Sequence, residues 1–99
     1  MRIISRKALR DFWRKRPDAE IPLQAWYRIT KKAQWNNLAD TRKDFPGADL
    51  VGICTVFNIG GNKYRLIAKI YYAHKKVYIR FVMTHRQYDR KEWYGDCRC

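Results

Sequence analysis

Basic and proton-exchanging side chains in the second half of the chain could bind a phosphate group and move protons. Arginine offers a rigid fork of donors that stays charged at any relevant pH, and histidine is the side chain whose ordinary pKa lies near neutrality. Tyrosine adds a ring that can stack on a base and a hydroxyl that can exchange a proton if nearby cations lower its pKa. The residues with these properties are Lys63, Arg65, Lys69, Arg80, His85, Arg86 and Tyr88.

Three consecutive strands joined by short turns are expected to position these residues. The β-branched and aromatic residues that suit a pleated sheet are concentrated in Val51 to Ile59, Tyr64 to Ala73 and Val77 to Met83. Gly60-Gly61-Asn62 can adopt the positive φ angles of a tight turn, and His74-Lys75-Lys76 is short and polar enough for a second one. The pattern predicts an antiparallel meander.

Alternation along these strands predicts an apolar face and a cationic face. On the middle strand, Arg65 and Lys69 belong to an exposed row opposite the apolar row that contains Leu66. The last strand is expected to divide into two sets, Val77, Ile79, Phe81 and Met83 on one face and Tyr78, Arg80, Val82 and Thr84 on the other. The apolar face requires a cover.

The first half of the chain is predicted to form helices that cover the apolar face of the sheet. Arg2 to Ser5 is expected to form a short strand, and Ser5 to cap a helix that runs to about Arg16. Asp18 is expected to cap a second helix that ends at Asn36-Asn37, and Leu38 to Phe45 to form a short helical turn.

The apolar stripes of these two helices, which include Trp13 and Trp26, are expected to pack on the sheet as core residues. The predicted fold class is therefore α+β, a small, twisted and mostly antiparallel sheet with an N-terminal helical hairpin packed on one face. A chain of 99 residues corresponds to one domain, which we place at residues 1–99.

The charge of the chain indicates a polyanionic partner. There are 22 Lys and Arg residues against 9 Asp and Glu, a net charge of +13 that both halves share. Such a field attracts phosphate backbones and speeds their encounter with the protein. A solvated surface with extra lysines is the alternative interpretation.

Localisation and metal binding can also be predicted. Neither a secretory signal nor an apolar run long enough to span a bilayer is present, which predicts a cytoplasmic protein whose cysteines stay reduced. Cys97-Arg98-Cys99 is too closely spaced for a zinc site without further ligands, and His74 and His85 lack ligand spacing. We therefore expect no metal site and no cofactor.

Three motifs in one order and spacing resemble the HigB family of bacterial toxins. They are Asn58-Ile59-Gly60-Gly61-Asn62, Tyr64-Arg65-Leu66, and Thr84-His85 followed by Tyr88-Asp89. Members of this family are relatives of the RelE-like messenger-RNA endonucleases and are normally encoded beside a neutralising antitoxin. The resemblance implies a RelE-like fold and an endoribonuclease, or mRNA interferase, that inhibits translation.

The resemblance also implies partners and a reaction. The partners would be messenger RNA on the ribosome and a HigA-like helix-turn-helix antitoxin, with DNA contacted only through the antitoxin complex and no membrane. The reaction would need no metal, since the ribose 2′-hydroxyl attacks its own phosphate and no Ser or Cys nucleophile is required. Such cleavage needs charge neutralisation at phosphorus and a proton for the leaving 5′-oxygen.

Roles for individual residues follow from that reaction. Arg65 is predicted to bind the phosphate, His85 to transfer protons, and Tyr88 to stack on a base or exchange a proton. Contacts to RNA are predicted for Asn58, Asn62, Lys63, Lys69, Arg80 and Arg86. Because RelE-like relatives differ in their catalytic sets, roles do not transfer across the superfamily.

Each role has a structural alternative. Arg65 could form a cross-strand pair, His85 could be a capping or merely exposed residue, and Tyr88 could belong to the core. Lys63 and Lys69 could be solvated charges, and Asp89 could either orient His85 or cap a helix. For the whole chain, the alternatives are a non-catalytic RNA- or ribosome-binding protein and a DNA-binding regulator.

Overall fold

The computed structural model describes residues 1–91 and 93–97, which form a mixed five-stranded sheet with helices packed on it. The strands are β1 (Arg2–Ile4), β2 (Asp49–Val51), β3 (Cys54–Ile59), β4 (Tyr64–Tyr71) and β5 (Lys76–Thr84), in the spatial order β1-β5-β4-β3-β2. The helices are α1 (Arg6–Lys15), α2 (Glu20–Lys32), α3 (Leu38–Asp44), α4 (His85–Asp89) and α5 (Tyr94–Cys97), with 3-10 turns at Pro17–Ala19 and Tyr72–His74. The predicted α+β class is confirmed. Within this part of the chain no helix is long and apolar enough to cross a membrane.

The predicted meander is present as β3, β4 and β5, and β1 adds a parallel pairing with β5. One predicted strand, Val51 to Ile59, is in fact two strands. The chain reverses at Gly52, whose φ is +60°, so that β2 folds back antiparallel on β3. Glycine adopts this backbone conformation without the steric cost that a side chain would add.

The predicted alternation on β5 is wrong beyond Ile79. Ile79 pairs with Ala68 and Phe81 pairs with Ile67, so Arg80 is an extra residue in the ladder. Since side chains alternate with a period of two, one inserted residue sends every later side chain to the opposite face.

The sheet consequently has an apolar cluster on each face. The face that packs on α1 and α2, here the helix face, carries the larger cluster, in which Trp26 meets Phe57 edge to face at 5.5 Å. The opposite face, here the rear face, carries a smaller cluster of Cys54, Val56, Ile67, Met83 and Trp93. Trp26 is fully buried and Trp13 is partly buried against the larger cluster, which confirms that both are core residues.

Ser5 occupies the predicted N-cap position of α1, but Asp18 does not cap α2. The 3-10 turn Pro17–Ala19 precedes that helix, and the Asp18 carboxylate instead accepts hydrogen bonds from the Tyr64 hydroxyl and from Lys63 Nζ, the latter at 3.3 Å. The prediction failed because these partners are distant in sequence. The contacts fix the start of α2 to the start of β4.

We expect Asp18→Asn to lower the free energy of unfolding at about pH 7 and to have a smaller effect at about pH 3. The hydrogen bond from Tyr64 holds the pKa of the Asp18 carboxyl below its ordinary value. For a depressed pKa, the added stability is present above the ordinary value of about 4 and is lost as the pH falls through the lower folded-state value.

Urea unfolding of the two proteins at each pH measures this difference. Asp11→Asn is the matched control, because the Asp11 side chain is 51% exposed and that of Asp18 is 52% exposed. The nearest cations lie 3.9 Å from Asp11, so its removal should change little. Identical unfolding curves for wild type and Asp18→Asn at the higher pH would contradict the expectation.

Candidate active site

Arg65 lies at the start of β4 on the rear face, and its guanidinium group is held in place. The residue is only 9% exposed, so the prediction of an exposed arginine is wrong. Its Nη1 donates to the backbone oxygens of Asn62 at 3.2 Å and Tyr64 at 3.1 Å, and the guanidinium carbon lies 5.4 Å from the centre of the Tyr88 ring. Among the described residues, Nε and Nη2 meet no acceptor, which leaves donors for an anion.

Tyr88, on α4, belongs to a layered contact that explains the burial of Arg65. Its ring stacks on Trp93 with centroids 4.9 Å apart and planes at 10°, and Trp93 Nε1 donates to the Tyr88 carbonyl at 3.0 Å. Sequence reasoning gave Trp93 no role. The signal for it was the predicted rear face itself, whose apolar residue Ile67 needs a cover.

Burial raises the pKa of the Tyr88 phenol, an effect that nearby Arg65 opposes and that Asp49 and Asp89 reinforce. The condition that the sequence analysis set for proton exchange by this hydroxyl, a pKa lowered by nearby cations, is therefore not met. The phenol stays protonated at neutral pH, so its hydroxyl can donate a proton or a hydrogen bond but cannot serve as a base.

His85 begins α4 directly after β5, and Asp89 orients it. The Thr84 side chain and Gln87 form a capping box at this helix start, and His85 N donates to the Lys63 carbonyl at 3.0 Å. His85 Nδ1 lies 2.9 Å from Asp89 Oδ2, one helical turn away. Of the two alternatives for Asp89, the structure shows the orienting one. With Nδ1–H donated to the carboxylate, Nε2 of the neutral ring is an acceptor.

The three predicted catalytic residues come from two adjacent elements. Arg65 pairs with Met83 across β4 and β5, two residues before His85, and Tyr88 contacts Arg65 directly. His85 reaches the same region through its backbone hydrogen bond to Lys63. The arrangement places anion donors, an oriented imidazole and a neutral phenol at one end of the rear face.

Some of the predicted RNA-contacting residues lie at this end. Asn58 is exposed and is the cross-strand partner of Arg65 on β3. Asn62 supplies the turn carbonyl that accepts from Arg65, and Arg86 is exposed on α4 next to His85.

The remaining three lie elsewhere. Lys63 is 68% exposed and paired with Asp18, whose 3-10 turn packs on the helix face. Lys69 and Arg80 lie farther along β4 and β5, where both line a separate cavity.

No group of three His, Cys, Asp or Glu side chains in the described part of the chain is arranged to hold a metal ion. The absence of a metal site stays a prediction. Cys54 is fully buried and disulfide-bonded, so the expectation of a reduced thiol is wrong for this residue. The side chains of Cys97, Arg98 and Cys99 lie outside the described part, and so does the prediction made for them.

The functional groups at this end of the rear face fit acid-base chemistry on a phosphodiester. A guanidinium with unused donors can neutralise charge on the non-bridging oxygens. An imidazole nitrogen can accept a proton and a phenol can supply one. The end of the rear face that carries Arg65, His85, Tyr88 and Asp89 is called the candidate active site below.

Comparison with known proteins gives one family. The model of HigB_toxin, described as the RelE-like toxic component of a toxin-antitoxin system, matches residues 19–91, a range that contains all four residues of the candidate active site. The mRNA interferase toxin HigB of Escherichia coli strain K12 is 35% identical over 92 residues, which cover 90% of this chain and 88% of that protein. The mRNA interferase HigB of Shigella flexneri has the same identity and coverage, and that of Escherichia coli O6:H1 is 29% identical over 91% of this chain and 90% of its own.

Proposed function

Because the chain belongs to the HigB family of RelE-like toxins, we propose that it is the messenger-RNA-cleaving toxin of a toxin-antitoxin pair and that it cuts RNA at the candidate active site. The proposed RNA-cleaving activity rests on the family match. The clustering of Arg65, Tyr88 and the His85–Asp89 pair supports the location, since these groups cover the charge and proton requirements of the reaction.

The proposed reaction uses the ribose 2′-hydroxyl as nucleophile. His85 Nε2, with Nδ1 held by Asp89, takes the proton as the 2′-oxygen bonds to phosphorus. Arg65 donates from Nε and Nη2 to the non-bridging oxygens, whose negative charge increases as the phosphorane forms. The bond from phosphorus to the 5′-oxygen then breaks, and the Tyr88 hydroxyl protonates that oxygen. The products are a 2′,3′-cyclic phosphate and a 5′-hydroxyl end, and solvent returns the two residues to their initial protonation states.

The position of Tyr88 suits the role of acid. Its phenol starts neutral because burial raises its pKa. The phenolate left after proton transfer would lie against the Arg65 guanidinium, which favours the charged form. The ring already stacks on Trp93, so we assign Tyr88 to proton transfer rather than to base stacking.

The charge and the family support the proposed partners. A net charge of +13 suits a ribosome-bound messenger, where ribosomal RNA would add phosphates to the binding surface. We propose that the protein acts in the cytoplasm and that a HigA-like helix-turn-helix antitoxin, encoded beside it, neutralises it and carries the DNA contact of the complex.

The test is cleavage by the purified chain of free RNA in excess EDTA and, separately, of messenger on translating ribosomes in a buffer that keeps the ribosomes intact. We expect 2′,3′-cyclic phosphate ends, growth arrest when the chain is expressed, and rescue by the neighbouring gene. Binding of RNA or ribosomes without any product would identify a non-catalytic binder instead. Loss of cleavage in EDTA would contradict the metal-free reaction.

A further inference from the structure

We propose that a cavity at the other end of the rear face is a second RNA subsite, which holds a nucleotide of the messenger away from the bond that is cut. The cavity has a volume of about 410 Å³ and is lined by Lys69, Tyr71, His74, Lys76, Tyr78 and Arg80. The inference rests on the proposed function, because it takes single-stranded RNA as the ligand. It adds a site that the cleavage reaction does not require.

The cavity belongs to the same two strands as the candidate active site. Lys69 pairs with Tyr78 and Tyr71 pairs with Lys76, so a cation and a ring lie side by side at each of two consecutive rear-face positions. From Arg65 to Lys69 the path along β4 is four residues, or about 13 Å at the usual rise of a strand. One RNA strand lying along β4 could therefore contact both sites.

In the described part of the chain, the apolar cluster on the rear face does not extend to this end of the sheet. Its buried members on β4 and β5 are Ile67 and Met83, and Trp93 covers them. Tyr71, beyond that cover, is 49% exposed. The bulge at Arg80 lies at the boundary between the two regions, where the ladder shifts by one residue. Bulges re-aim side chains in this way next to functional sites.

The lining charges favour an anion. Lys69, Lys76, Arg80 and His74 line the cavity, and none of the lining residues in the described part of the chain is acidic. A phosphate group would accept charge-assisted hydrogen bonds from the ammonium and guanidinium groups of this lining.

The two tyrosines distinguish a nucleotide from a bare phosphate. Their rings meet edge to face, with centroids 5.4 Å apart and planes at 86°. Because the edge of one ring meets the face of the other, each ring restricts the motion of its neighbour, and the exposed Tyr71 ring is held for contact with a ligand. Stacking on an aromatic ring beside a row of cations is the usual way in which proteins bind single-stranded RNA without reading its sequence.

The experiment measures binding rather than cleavage. Fluorescence anisotropy measures binding of labelled RNA to the full chain, with RNAs of about three and about ten nucleotides. The RNA carries 2′-O-methyl groups, so it lacks the 2′-hydroxyl nucleophile and cannot be cut. The variants are Tyr71→Ala, Tyr71→Phe and Lys76→Ala. Lys7→Ala is the matched control, since Lys7 is 76% exposed on α1, away from the rear face. Antitoxin affinity is measured for the same set.

We expect Tyr71→Ala to weaken binding of the longer RNA by about fivefold to a hundredfold and Tyr71→Phe to bind as wild type. Lys76→Ala should reduce the slope of log affinity against log salt by about 0.7, and Lys7→Ala should leave affinity and slope unchanged. Binding of the short RNA should be the same for all variants.

Equal affinity of wild type and Tyr71→Ala for the longer RNA would overturn the proposed subsite. A Tyr71→Ala variant that loses affinity for the antitoxin but not for RNA would also overturn it, because the cavity would then be a protein interface. The proposed function fails separately. Wild-type protein that binds the longer RNA through Tyr71 but never cuts RNA would retain the subsite and lose the nuclease. Wild-type protein that cuts RNA, together with a Tyr71→Ala variant that binds the longer RNA normally, would retain the nuclease and exclude the subsite.

Discussion

His85→Ala is expected to lower single-turnover cleavage of RNA by at least about a hundredfold and to leave RNA affinity within a few-fold of wild type. The imidazole is 47% exposed, its Nδ1 is paired with Asp89, and Nε2 has no partner among the described residues. Removing it deletes a proton acceptor without opening the core.

Two companion variants separate the roles around His85. Asp89→Asn keeps the size of the side chain but removes the charge that orients the imidazole, so we expect a smaller loss of rate than for His85→Ala. Tyr88→Phe keeps the ring against Trp93 and removes only the hydroxyl, so a loss of rate with normal stability assigns the hydroxyl to proton transfer. Arg90→Ala, exposed just after α4, is the control.

Cleavage by His85→Ala at the wild-type rate would make His85 only the first residue of α4. The proton transfers would then have to be reassigned to Tyr88 and the lysines. Lys63, which is paired with Asp18, and Lys69, which lines the separate cavity, would then be tested in turn.

The parts of the fold that local pattern determines could be predicted from the sequence. The meander follows from β-branched and aromatic runs separated by Gly60-Gly61-Asn62, and the core role of Trp26 follows from the helical stripe on α2. Both signals are short in range. Each depends on residues within one element or one turn.

The features that the sequence did not show depend on pairing between distant segments. The bulge at Arg80 is a property of the register between β4 and β5, and it reversed the predicted faces of Phe81 and Met83. The hydrogen bond from the Tyr64 hydroxyl to the Asp18 carboxylate joins residues that are 46 positions apart in the sequence. A helix starting at His85 could have been inferred from Thr84 and Gln87, which form a capping box, and would have placed Asp89 one turn from His85.

Arg65 shows why a residue can be found by its type and still be misjudged in its environment. Its place in the cationic row was visible from alternation on β4. Its burial comes from Tyr88 and Trp93, which the chain adds after the last strand. The guanidinium therefore has a structural task besides the proposed phosphate contact, and a simple deletion cannot separate the two.

Arg65→Ala is accordingly expected to reduce cleavage by more than about a hundredfold and also to lower the free energy of unfolding by about 2 kcal/mol. The stability loss has a physical cause in the two hydrogen bonds from Nη1 and in the contact with the Tyr88 ring, all made at 9% exposure. For a domain of this size that loss corresponds to a fall of roughly 10 °C in melting temperature. Thermal unfolding and single-turnover cleavage are measured on the same samples, with exposed Arg86→Ala as the stability control.

Arg65→Lys separates the two tasks of Arg65, because lysine keeps the positive charge but lacks the planar fork of donors. We expect this variant to recover part of the lost stability, since its ammonium can still approach the Tyr88 ring, while cleavage stays at least about tenfold below wild type. Cleavage by Arg65→Lys at the wild-type rate would show that a positive charge alone suffices for cleavage and that the planar fork of donors does not bind the phosphate. Unchanged stability of Arg65→Ala would show instead that Tyr88 and Trp93 stack without help from the guanidinium, and Arg65 would then act on the RNA alone.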